Sequence, residues 1–267
     1  MLYFHGDIHG DPISAFSYHN HPEMRRLGSQ DMMIVLGDCG VPWNTETIKE
    51  DLYKLDWLNT RPYQVILITG NHDNYDLIEA MPQIEFYGGV ARKAIYQGQV
   101  FNNIVYIDKP TVMNLQGKTC LIIPGANSHD IDDGIIDGND PNWRKLYRKA
   151  IFRGKQVRVS HISWWPQEKV QIDLVQKILD NGLEKVDLIL SHEAPACQSR
   201  FYPTEEELYL DKVSQQLEYT MWLHGHLHRW INNPPKNILG LYNHILSYND
   251  IINLYNKNQE RMAEYAQ

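Results

Sequence analysis

Four short motifs of this chain place carboxylate, amide and imidazole side chains directly after apolar segments. They are GDIHG at residues 6–10, GDCG at 37–40, GNHD at 70–73 and GHLH at 225–228, and a fifth segment, SHEAP, covers 191–195. The potential metal ligands in these segments, none of them a thiolate, are Asp7, His9, Asp38, Asn71, His192, His226 and His228. Such a set can hold two divalent cations that share one bridging carboxylate, an arrangement that hydrolyses phosphoesters by in-line displacement.

The segments before these motifs are short and apolar, as strands buried on both faces of a sheet should be. They cover residues 1–4, 32–36, 65–69, 186–190 and 221–223. Ligands of an open α/β sheet gather at the carboxyl edge of its strands, so the motifs should meet there. Because Asp7 and His9 are two residues apart, an extended backbone would point both to one side, and the same holds for His226 and His228.

Each motif alone is a weak signal, because a single Gly-Asp pair or a His-x-His triplet is more often turn chemistry or a solvated histidine. Alone, Asn71 is typical of a left-handed turn and His192 of a histidine at a strand end. Five such motifs in one chain, each after an apolar run, favour a metal site over these separate structural interpretations.

In order, the motifs read D-x-H, GD, GNH[DE], a lone H and GHxH, and on them the chain resembles the calcineurin-like metallophosphoesterases from Asp7 to His228. The stretches GNHDNYD, SWWPQE and VDLILSHEAP are similar to a small prokaryotic or phage-type branch of that family. The resemblance implies an α/β fold, an αββα sandwich of two mixed β-sheets flanked by helices. It also implies a dinuclear metal site at the carboxyl edge of the strands.

The resemblance further implies a role for each ligand of this sequence. One metal would be held by Asp7, His9 and His228, the other by Asn71, His192 and His226, and Asp38 would bridge the two. His72 would lie near the scissile bond without binding metal. Carboxylate, amide and imidazole ligands suit two divalent ions, with Mn²⁺ or Fe expected first and Zn²⁺ also compatible.

The second motif departs from the protein serine/threonine phosphatases of this superfamily, which carry GDxVDRG. Here the sequence is GDCGVPW, so Pro42 occupies the position of their phosphate-binding arginine and Val41 that of the carboxylate paired with the histidine of the third motif. An arginine that binds phosphate would have to come from elsewhere. The candidates Arg92, Arg200 and Arg229 are each more typical of a solvated surface charge.

The sequence thus predicts a metal-dependent phosphoesterase in which a hydroxide bridging the two ions attacks phosphorus. His72 and Asp38 would be its catalytic residues, with His72 hydrogen-bonding or protonating the leaving oxygen. Because position 41 lacks a carboxylate, Asp73 or a backbone carbonyl would orient His72. The alternatives are a non-catalytic binding scaffold of the same fold, which the intact ligand set disfavours, and a protein serine/threonine phosphatase, which Pro42 disfavours.

We expect a small phosphoester substrate, more nucleotide-like diester than phosphoprotein, with monoester, diester and pyrophosphate all open. The net charge of −8 argues against an extended nucleic-acid surface. No apolar run reaches membrane-spanning length, and no signal-peptide pattern precedes the first strand. The three widely separated cysteines, Cys39, Cys120 and Cys197, indicate free thiols. These features predict a cytoplasmic enzyme without a membrane partner, and leave the oligomeric state open.

Hydrophobic periodicity predicts one domain over residues 1–267, with helices joining the strands. Helices are expected at 14–27, at 44–58 with Asn44 or Thr45 as cap, at about 76–81, at 169–179 and at about 250–267. The alternation between residues 84 and 123 predicts β-hairpins that form the second sheet.

Two further segments have more than one interpretation. The acidic run from Asp130 to Asp140 does not fit the EF-hand pattern, so a solvated loop is favoured over a calcium site. Trp164 and Trp165 could line the mouth of the site or stack on a base, or they could be packed within their loop.

Overall fold

The computed structural model describes residues 1–44, 46–199 and 202–265, and it describes Tyr265 by its backbone alone. Most of the strands assemble into two large sheets. The strands are β1 (Leu2–His5), β2 (Met32–Leu36), β3 (Gln64–Ile68), β4 (Gln83–Phe86), β5 (Gly89–Tyr96), β6 (Gln99–Ile107), β7 (Thr111–Leu115), β8 (Lys118–Ile123), β9 (Ile135–Ile136), β10 (Arg158–Val159), β11 (Lys185–Ser191), β12 (Glu218–His224), β13 (Ile231–Asn233), β14 (Ile238–Gly240) and β15 (Ile245–Ser247).

Helices connect many of these strands, and some of them cover the outer faces of the sheets. They are α1 (Pro12–Ala15), α2 (Ile48–Asn59), α3 (Tyr75–Glu79), α4 (Trp143–Phe152), α5 (Ile172–Asp180), α6 (Glu205–Gln216) and α7 (Tyr248–Tyr265). Short 3₁₀ turns occupy Pro22–Arg26, Pro166–Glu168, Ala196–Gln198 and Pro234–Lys236. None of the described helices has the length and apolar character needed to cross a bilayer.

The first sheet has the strand order β15-β1-β2-β3-β6-β5-β4, and the second has the order β13-β14-β12-β11-β8-β7. In the first, β1, β2, β3 and β6 run parallel, and in the second β14, β12, β11 and β8 do so. Antiparallel strands close the edges of both sheets. The parallel strands at the centre bring their carboxyl ends to one edge of each sheet.

Three apolar layers show how the sheets are stacked. Between the sheets, side chains such as Phe4 and Ile34 from the first pack with Leu188 and Leu223 from the second. The outer face of the first sheet buries Leu55 of α2, and the outer face of the second buries residues of α5 and α6. Helix, sheet, sheet and helix therefore follow one another, which confirms the predicted αββα sandwich.

The prediction that residues 84–123 form the second sheet was wrong for half of that segment. Strands β4, β5 and β6 extend the first sheet, because β6 pairs in parallel with β3, placing Ile104 opposite Val65. Only β7 and β8 enter the second sheet, where β8 pairs with β11. Alternating side chains identify a strand but carry little information about its neighbour, since pairing depends on residues far along the chain.

Two helix predictions near the N-terminus also need correction. Residues 14–27 contain no continuous helix: α1 spans four residues, and a 3₁₀ turn begins at Pro22, which cannot donate the backbone hydrogen bond of a continuing helix. Helix α2 begins at Ile48 with Thr47 as its N-cap. The side chain of Asn44 accepts instead from the amides of Glu46 and Thr47 in a turn. Thr45 lies outside the described residues.

The remaining helix predictions agree with the structure within a few residues. Helix α3 begins after Asn74, whose side chain accepts from the amide of Leu77. Helix α5 buries Val175 against the second sheet. The C-terminal helix expected over 250–267 is α7, which packs well beyond its first turns because Ile251 and Asn258 are both fully buried. Residues 266–267 lie outside the described residues.

Candidate metal centre and active site

All five sequence motifs follow strands and meet at the carboxyl edges of the two sheets. Strands β1, β2 and β3 of the first sheet lead into the Asp7, Asp38 and Asn71 motifs, and β11 and β12 of the second lead into those of His192 and His226. Ligand atoms within 4.8 Å of one another form two groups that share Asp38. The first group is Asp7, His9, Asp38 and His228, and the second is Asp38, His192 and His226.

Asn71 completes the second group. Its Oδ1 lies 3.2 Å from Nε2 of His192. The structure thus brings together all seven side chains that the sequence singles out.

The backbone that presents these side chains turns sharply, so the expectation of an extended backbone is wrong for these residues. His9, Asp38, His226 and His228 have φ angles of 41°, 52°, 63° and 48°, in the left-handed region that residues with a side chain rarely adopt. The amide of His9 donates to the carbonyl of Asp38 at 2.8 Å, which ties the first two motifs together. Strained backbone of this kind is typical of functional sites.

Three of the glycines that precede candidate ligands are required by close contacts. A Cβ atom on Gly37 would lie 2.0 Å from Nδ1 of His192, and one on Gly70 would lie 2.2 Å from Oδ1 of Asp38. A Cβ on Gly225 would lie 2.4 Å from Oδ1 of Asp7. Any larger residue would therefore displace a ligand, which explains the Gly-Asp, Gly-Asn and Gly-His pairs.

The two carboxylates each keep one oxygen directed into the site. Oδ1 of Asp7 accepts from the amide of His226 at 2.9 Å, and Oδ1 of Asp38 accepts from the amide of His72 at 2.7 Å. Among the described residues nothing donates a hydrogen bond to Oδ2 of Asp38, and Nε2 of His228 lies 3.0 Å from Oδ2 of Asp7. Buried carboxylate oxygens without donors are costly unless a cation neutralises them, so the donor set fits divalent metal ions.

The histidines are oriented as metal ligands commonly are. Nδ1 of His192 lies 2.7 Å from the carbonyl of Leu36, so its other nitrogen faces Asp38 at 3.1 Å. The Nε2 atoms of His9 and His228 approach to 2.7 Å, which means that both rings aim at one point.

The buried carboxylates and burial itself shift the pKa values of the histidines in the site. Burial is the largest single influence on the pKa of His192 and lowers it, but the carboxylates of Asp38 and Asp7, with the hydrogen bonds to Asp38 and to the carbonyl of Leu36, together raise that pKa to about 10. Burial holds the pKa of His226 well below its usual value. The pair of buried carboxylates therefore attracts positive charge, whether a proton or a metal ion.

Arg158 is the main residue of the site that the sequence motifs miss. It lies on β10, is 5% exposed, and borders a cavity of about 280 Å³ that also reaches Asp38 and His228. Its Nη2 contacts Nε2 of His72 at 2.7 Å, and its Nε lies 2.6 Å from Oδ1 of Asp130. A buried guanidinium beside the ligands is well suited to bind phosphate.

The arginines considered from the sequence have other partners. Arg92 pairs with Asp108 at 3.0 Å, and Arg229 donates to the carbonyl of Gln198 at 2.8 Å. Arg200 lies outside the described residues. The sequence feature that could have identified Arg158 is its position between two valines, Val157 and Val159. This alternation is typical of a strand rather than of a solvated loop.

The orienting partner of His72 is Arg158 and not Asp73. The Asp73 oxygens accept from the amides of Gly70 and Gly40, each at 2.8 Å, so they are turned away from the imidazole. A guanidinium can only donate, so Nε2 of His72 is the acceptor of their hydrogen bond. Burial, with Arg158 nearby, lowers the pKa of His72 to about 4, and the ring is therefore neutral at pH 7.

His129 is a second residue that the motifs miss. Its ring stacks on that of His226 with centroids 4.7 Å apart, and the Nε2 atoms are 2.8 Å apart. The acidic run that follows it is a mostly exposed loop, as expected, except that Asp130 fixes Arg158. Cys39, beside Asp38, is fully buried, and burial raises the pKa of its thiol well above the usual value.

Of the two tryptophans left open by the sequence, Trp165 is packed within the protein. It is fully buried, its indole nitrogen donates to Asp76 at 2.9 Å, and its ring meets that of Trp43 edge-on at 5.7 Å. Trp164 is half-buried. Neither lines the cavity beside Arg158.

The sandwich of two mixed sheets and the ligand groups at their edge define a metal-dependent phosphoesterase fold and site. The sequence pattern of the calcineurin-like phosphoesterases matches residues 2–230. The chain therefore belongs to the calcineurin-like phosphoesterase family, whose members are metal-dependent phosphoester hydrolases.

The other comparisons add little. No curated protein matches the chain. A solved protein of unknown function from Aquifex aeolicus is 16% identical, with 82% of this chain and 87% of that one covered at a TM-score of 0.30. At this TM-score the likeness supports no argument about this chain.

Proposed function

We propose that this chain hydrolyses small phosphoesters with two divalent metal ions, and that residues 1–267 form one domain for this purpose. The observation that carries the proposal is the pair of ligand groups joined by Asp38, whose buried Oδ2 accepts no hydrogen bond from the described residues. A carboxylate shared by two ligand groups is what a dinuclear centre requires.

In this proposal Asp7, His9 and His228 would hold the first ion, and Asn71, His192 and His226 the second. Asp38 would contribute to both sites. Oxygen and imidazole ligands without thiolate favour Mn²⁺ or Fe, with Zn²⁺ also compatible. The bound ions would activate water as the nucleophile and offset the charge of the phosphoryl oxygens.

The protein's own groups complete the chemistry. Arg158 would bind a non-bridging phosphoryl oxygen through Nη2, and its contacts with the carbonyl of Asn71 and with Asp130 hold the guanidinium in place. Phosphate bound there would compete with His72 for the same donor. His72, thus released, would hydrogen-bond the leaving oxygen, as the family resemblance implies.

The proposed substrate class depends on the cavities that adjoin the site. The expectation of diesters rested on the lack of a phosphate-binding arginine at Pro42, and Arg158 removes that premise. Two other cavities adjoin the ligands, one of about 360 Å³ lined by His9, His72 and Trp43, and one of about 500 Å³ lined by Asp7, His9 and Tyr242. Because a diester carries two organic groups and the site has two flanking cavities, we keep nucleotide-like diesters as the proposed class.

A cytoplasmic location is part of the proposal. It rests on the three cysteines, all of which are free thiols in the structure. Such thiols are typical of a reducing compartment.

The test is a substrate panel with protein purified in the presence of Mn²⁺. Elemental analysis of the same sample should give two metal ions per chain, and turnover should be detected on nucleotides, cyclic nucleotides or sugar phosphates. Asp38→Asn serves as the site control. A protein that binds the metal ions and some of these compounds without turning any over would be a binding scaffold. A large preference for a phosphopeptide would indicate a protein phosphatase.

A further inference from the structure

Behind the ligand Asn71 lies a chain of two polar side chains, Ser128 and Glu168, that the family resemblance does not assign. Glu168 belongs to the SWWPQE stretch, which the proposed chemistry has not used. We propose that Glu168, acting through Ser128, is a positioning residue that keeps the amide oxygen of Asn71 directed at the metal site. The inference rests on the proposed function, because it takes Asn71 as a metal ligand.

An asparagine ligand must present its oxygen, because the amide nitrogen has no lone pair to offer a cation. The two ends of the Asn71 side chain are well distinguished here. Oδ1 lies 3.2 Å from His192, and Nδ2 donates to Oγ of Ser128 at 3.3 Å. The amide is fully enclosed at 2% exposure, so water is a poor substitute for Ser128 as the partner of Nδ2.

The direction of the Ser128 hydrogen bond follows from Glu168. A hydroxyl has one proton to donate, and Ser128 donates it to Oε1 of Glu168. Its oxygen can then only accept from Asn71, which requires the amide nitrogen, and not the oxygen, on that side. If the amide of Asn71 were flipped, its oxygen would face the oxygen of Ser128, which can also only accept, and its NH₂ group would face the cation.

Glu168 is itself held firmly. It is fully buried, and its Oε2 accepts from the amide of Trp165 at 3.2 Å. Its backbone carbonyl accepts from the amide of Ala126 at 2.7 Å. A Cβ on Gly125 would lie 2.5 Å from that carbonyl, so the loop that carries Ser128 approaches the Glu168 segment as closely as glycine allows.

The carboxylate of Glu168 also lies near the guanidinium of Arg158. Oε2 of Glu168 is 4.0 Å from Nη1 of Arg158, and that nitrogen donates to the carbonyl of Asn71 at 2.9 Å. Two groups beside Glu168 therefore hold Asn71 in place: Ser128 contacts its side-chain amide and Arg158 its backbone carbonyl. This explains why a buried acid is placed in a segment that contributes no ligand.

The chain offers a matched control for Glu168. Glu207 is also buried and also accepts, through Oε2, from the amide three residues earlier, that of Thr204, at 2.7 Å. It caps α6 and contacts no candidate ligand among the described residues. The variants Glu168→Gln and Glu207→Gln thus make the same chemical change in similar local structures, and only the first touches the path to Asn71.

The experiment measures two Mn²⁺ dissociation constants by chelator competition on the full chain, with thermal unfolding to verify the fold. We expect Glu168→Gln to weaken one of the two by about 10- to 100-fold, the usual effect of losing a residue that orients a metal ligand. Glu207→Gln should leave both constants unchanged. At Ser128 the pair Ser128→Thr and Ser128→Val adds the same methyl group, and only the threonine keeps the hydroxyl.

The serine pair keeps the proposal testable even if Glu168→Gln fails to fold. Ser128→Val should lose Mn²⁺ affinity at one site. At that site Ser128→Thr should bind Mn²⁺ about five- to ten-fold more tightly than Ser128→Val, or better. Equal constants in the two variants, whether both normal or both weakened, would overturn the proposal. Wild-type protein that binds fewer than two ions would instead refute the proposed function before any variant is compared.

Discussion

Replacing Arg158 tests whether the arginine missed by the sequence motifs is the phosphate-binding group. Arg158→Gln keeps a polar side chain of similar reach but removes the positive charge. Arg158→Lys keeps the charge, but a single ammonium cannot replace the planar fork that contacts His72, Asp130 and the carbonyl of Asn71 together. Neither variant removes the side chain of a proposed metal ligand.

The magnitude follows from the position of the guanidinium. Arg158 is 5% exposed, so its contact with a phosphate oxygen is largely shielded from water. A hydrogen bond to a charged group contributes about 1.5–3 kcal/mol, which corresponds to a loss of about 10- to 150-fold in kcat/KM for Arg158→Gln. The loss for Arg158→Lys should be smaller than that for Arg158→Gln, because lysine keeps the charge but not the planar fork. A monoester dianion should suffer more than a diester, which carries one negative charge.

The assay compares p-nitrophenyl phosphate with bis-p-nitrophenyl phosphate at saturating Mn²⁺, together with metal content and thermal unfolding for each variant. Arg92→Lys is the control, since Arg92 is also largely buried and ion-paired, with Asp108, but lies outside the site. Unchanged kcat/KM in a folded, metal-loaded Arg158→Gln, or equal losses on both esters, would contradict the assignment of Arg158 to phosphate binding.

Four further predictions concern the metals, the leaving group, pH and the chemical path. Asp38→Asn should weaken binding of both metal ions by about ten-fold or more, and loss of only one ion by elemental analysis would exclude a bridging role. His72→Ala should keep both ions, because the backbone amide still donates to Asp38. Its loss of turnover should be larger for an alkyl phosphate than for p-nitrophenyl phosphate, and equal losses would remove His72 from the leaving-group side. Burial lowers the pKa values of His5 and His224 from 6.5 to about 4. The metal-free protein should therefore keep their contribution to stability above pH 6.5 and lose it as pH falls towards 4, by up to about 1.4 kcal/mol per pH unit for each histidine. In urea unfolding, His5→Gln should reduce this pH slope, and an unchanged slope would mean that His5 is not the titrating group. A chiral thiophosphate diester should be hydrolysed with inversion at phosphorus, whereas retention would require a covalent phosphoenzyme.

The ligand positions could be predicted because each depends on a few neighbouring residues. Asp38 and His192 both directly follow buried strands, and parallel strands bring such residues to one edge whatever the rest of the chain does. The conformation of the turns could not be predicted from spacing alone. A two-residue separation suits extended backbone, yet His226 and His228 both lie in left-handed turns.

Other parts of the site depend on contacts between distant segments. Arg158, Ser128 and Glu168 lie in the long connection between β8 and β11, and no local motif joins them. Arg158 reaches His72 across 86 positions of sequence. The prediction that β6 belongs to the second sheet was wrong for the same reason, since its partner in the first sheet, β3, lies far along the chain. Composition and alternation identify such elements, but their contacts are decided by the complete fold.

The proposed ligands are divided between the two halves of the sandwich, with Asp7, Asp38 and Asn71 on one side and His192 and His226 on the other. Bound ions would therefore act as a cross-link between two layers that are otherwise joined by side-chain packing and by hydrogen bonds such as that from the amide of His226 to Asp7. Because the unfolded chain has no such site, ions present at a thousand times their dissociation constant would add about 4 kcal/mol per site to the free energy of unfolding. Binding and packing are then thermodynamically reciprocal. A cavity opened between the layers at Leu188 would therefore weaken metal binding by the same free energy by which it destabilises the metal-bound protein more than the metal-free protein.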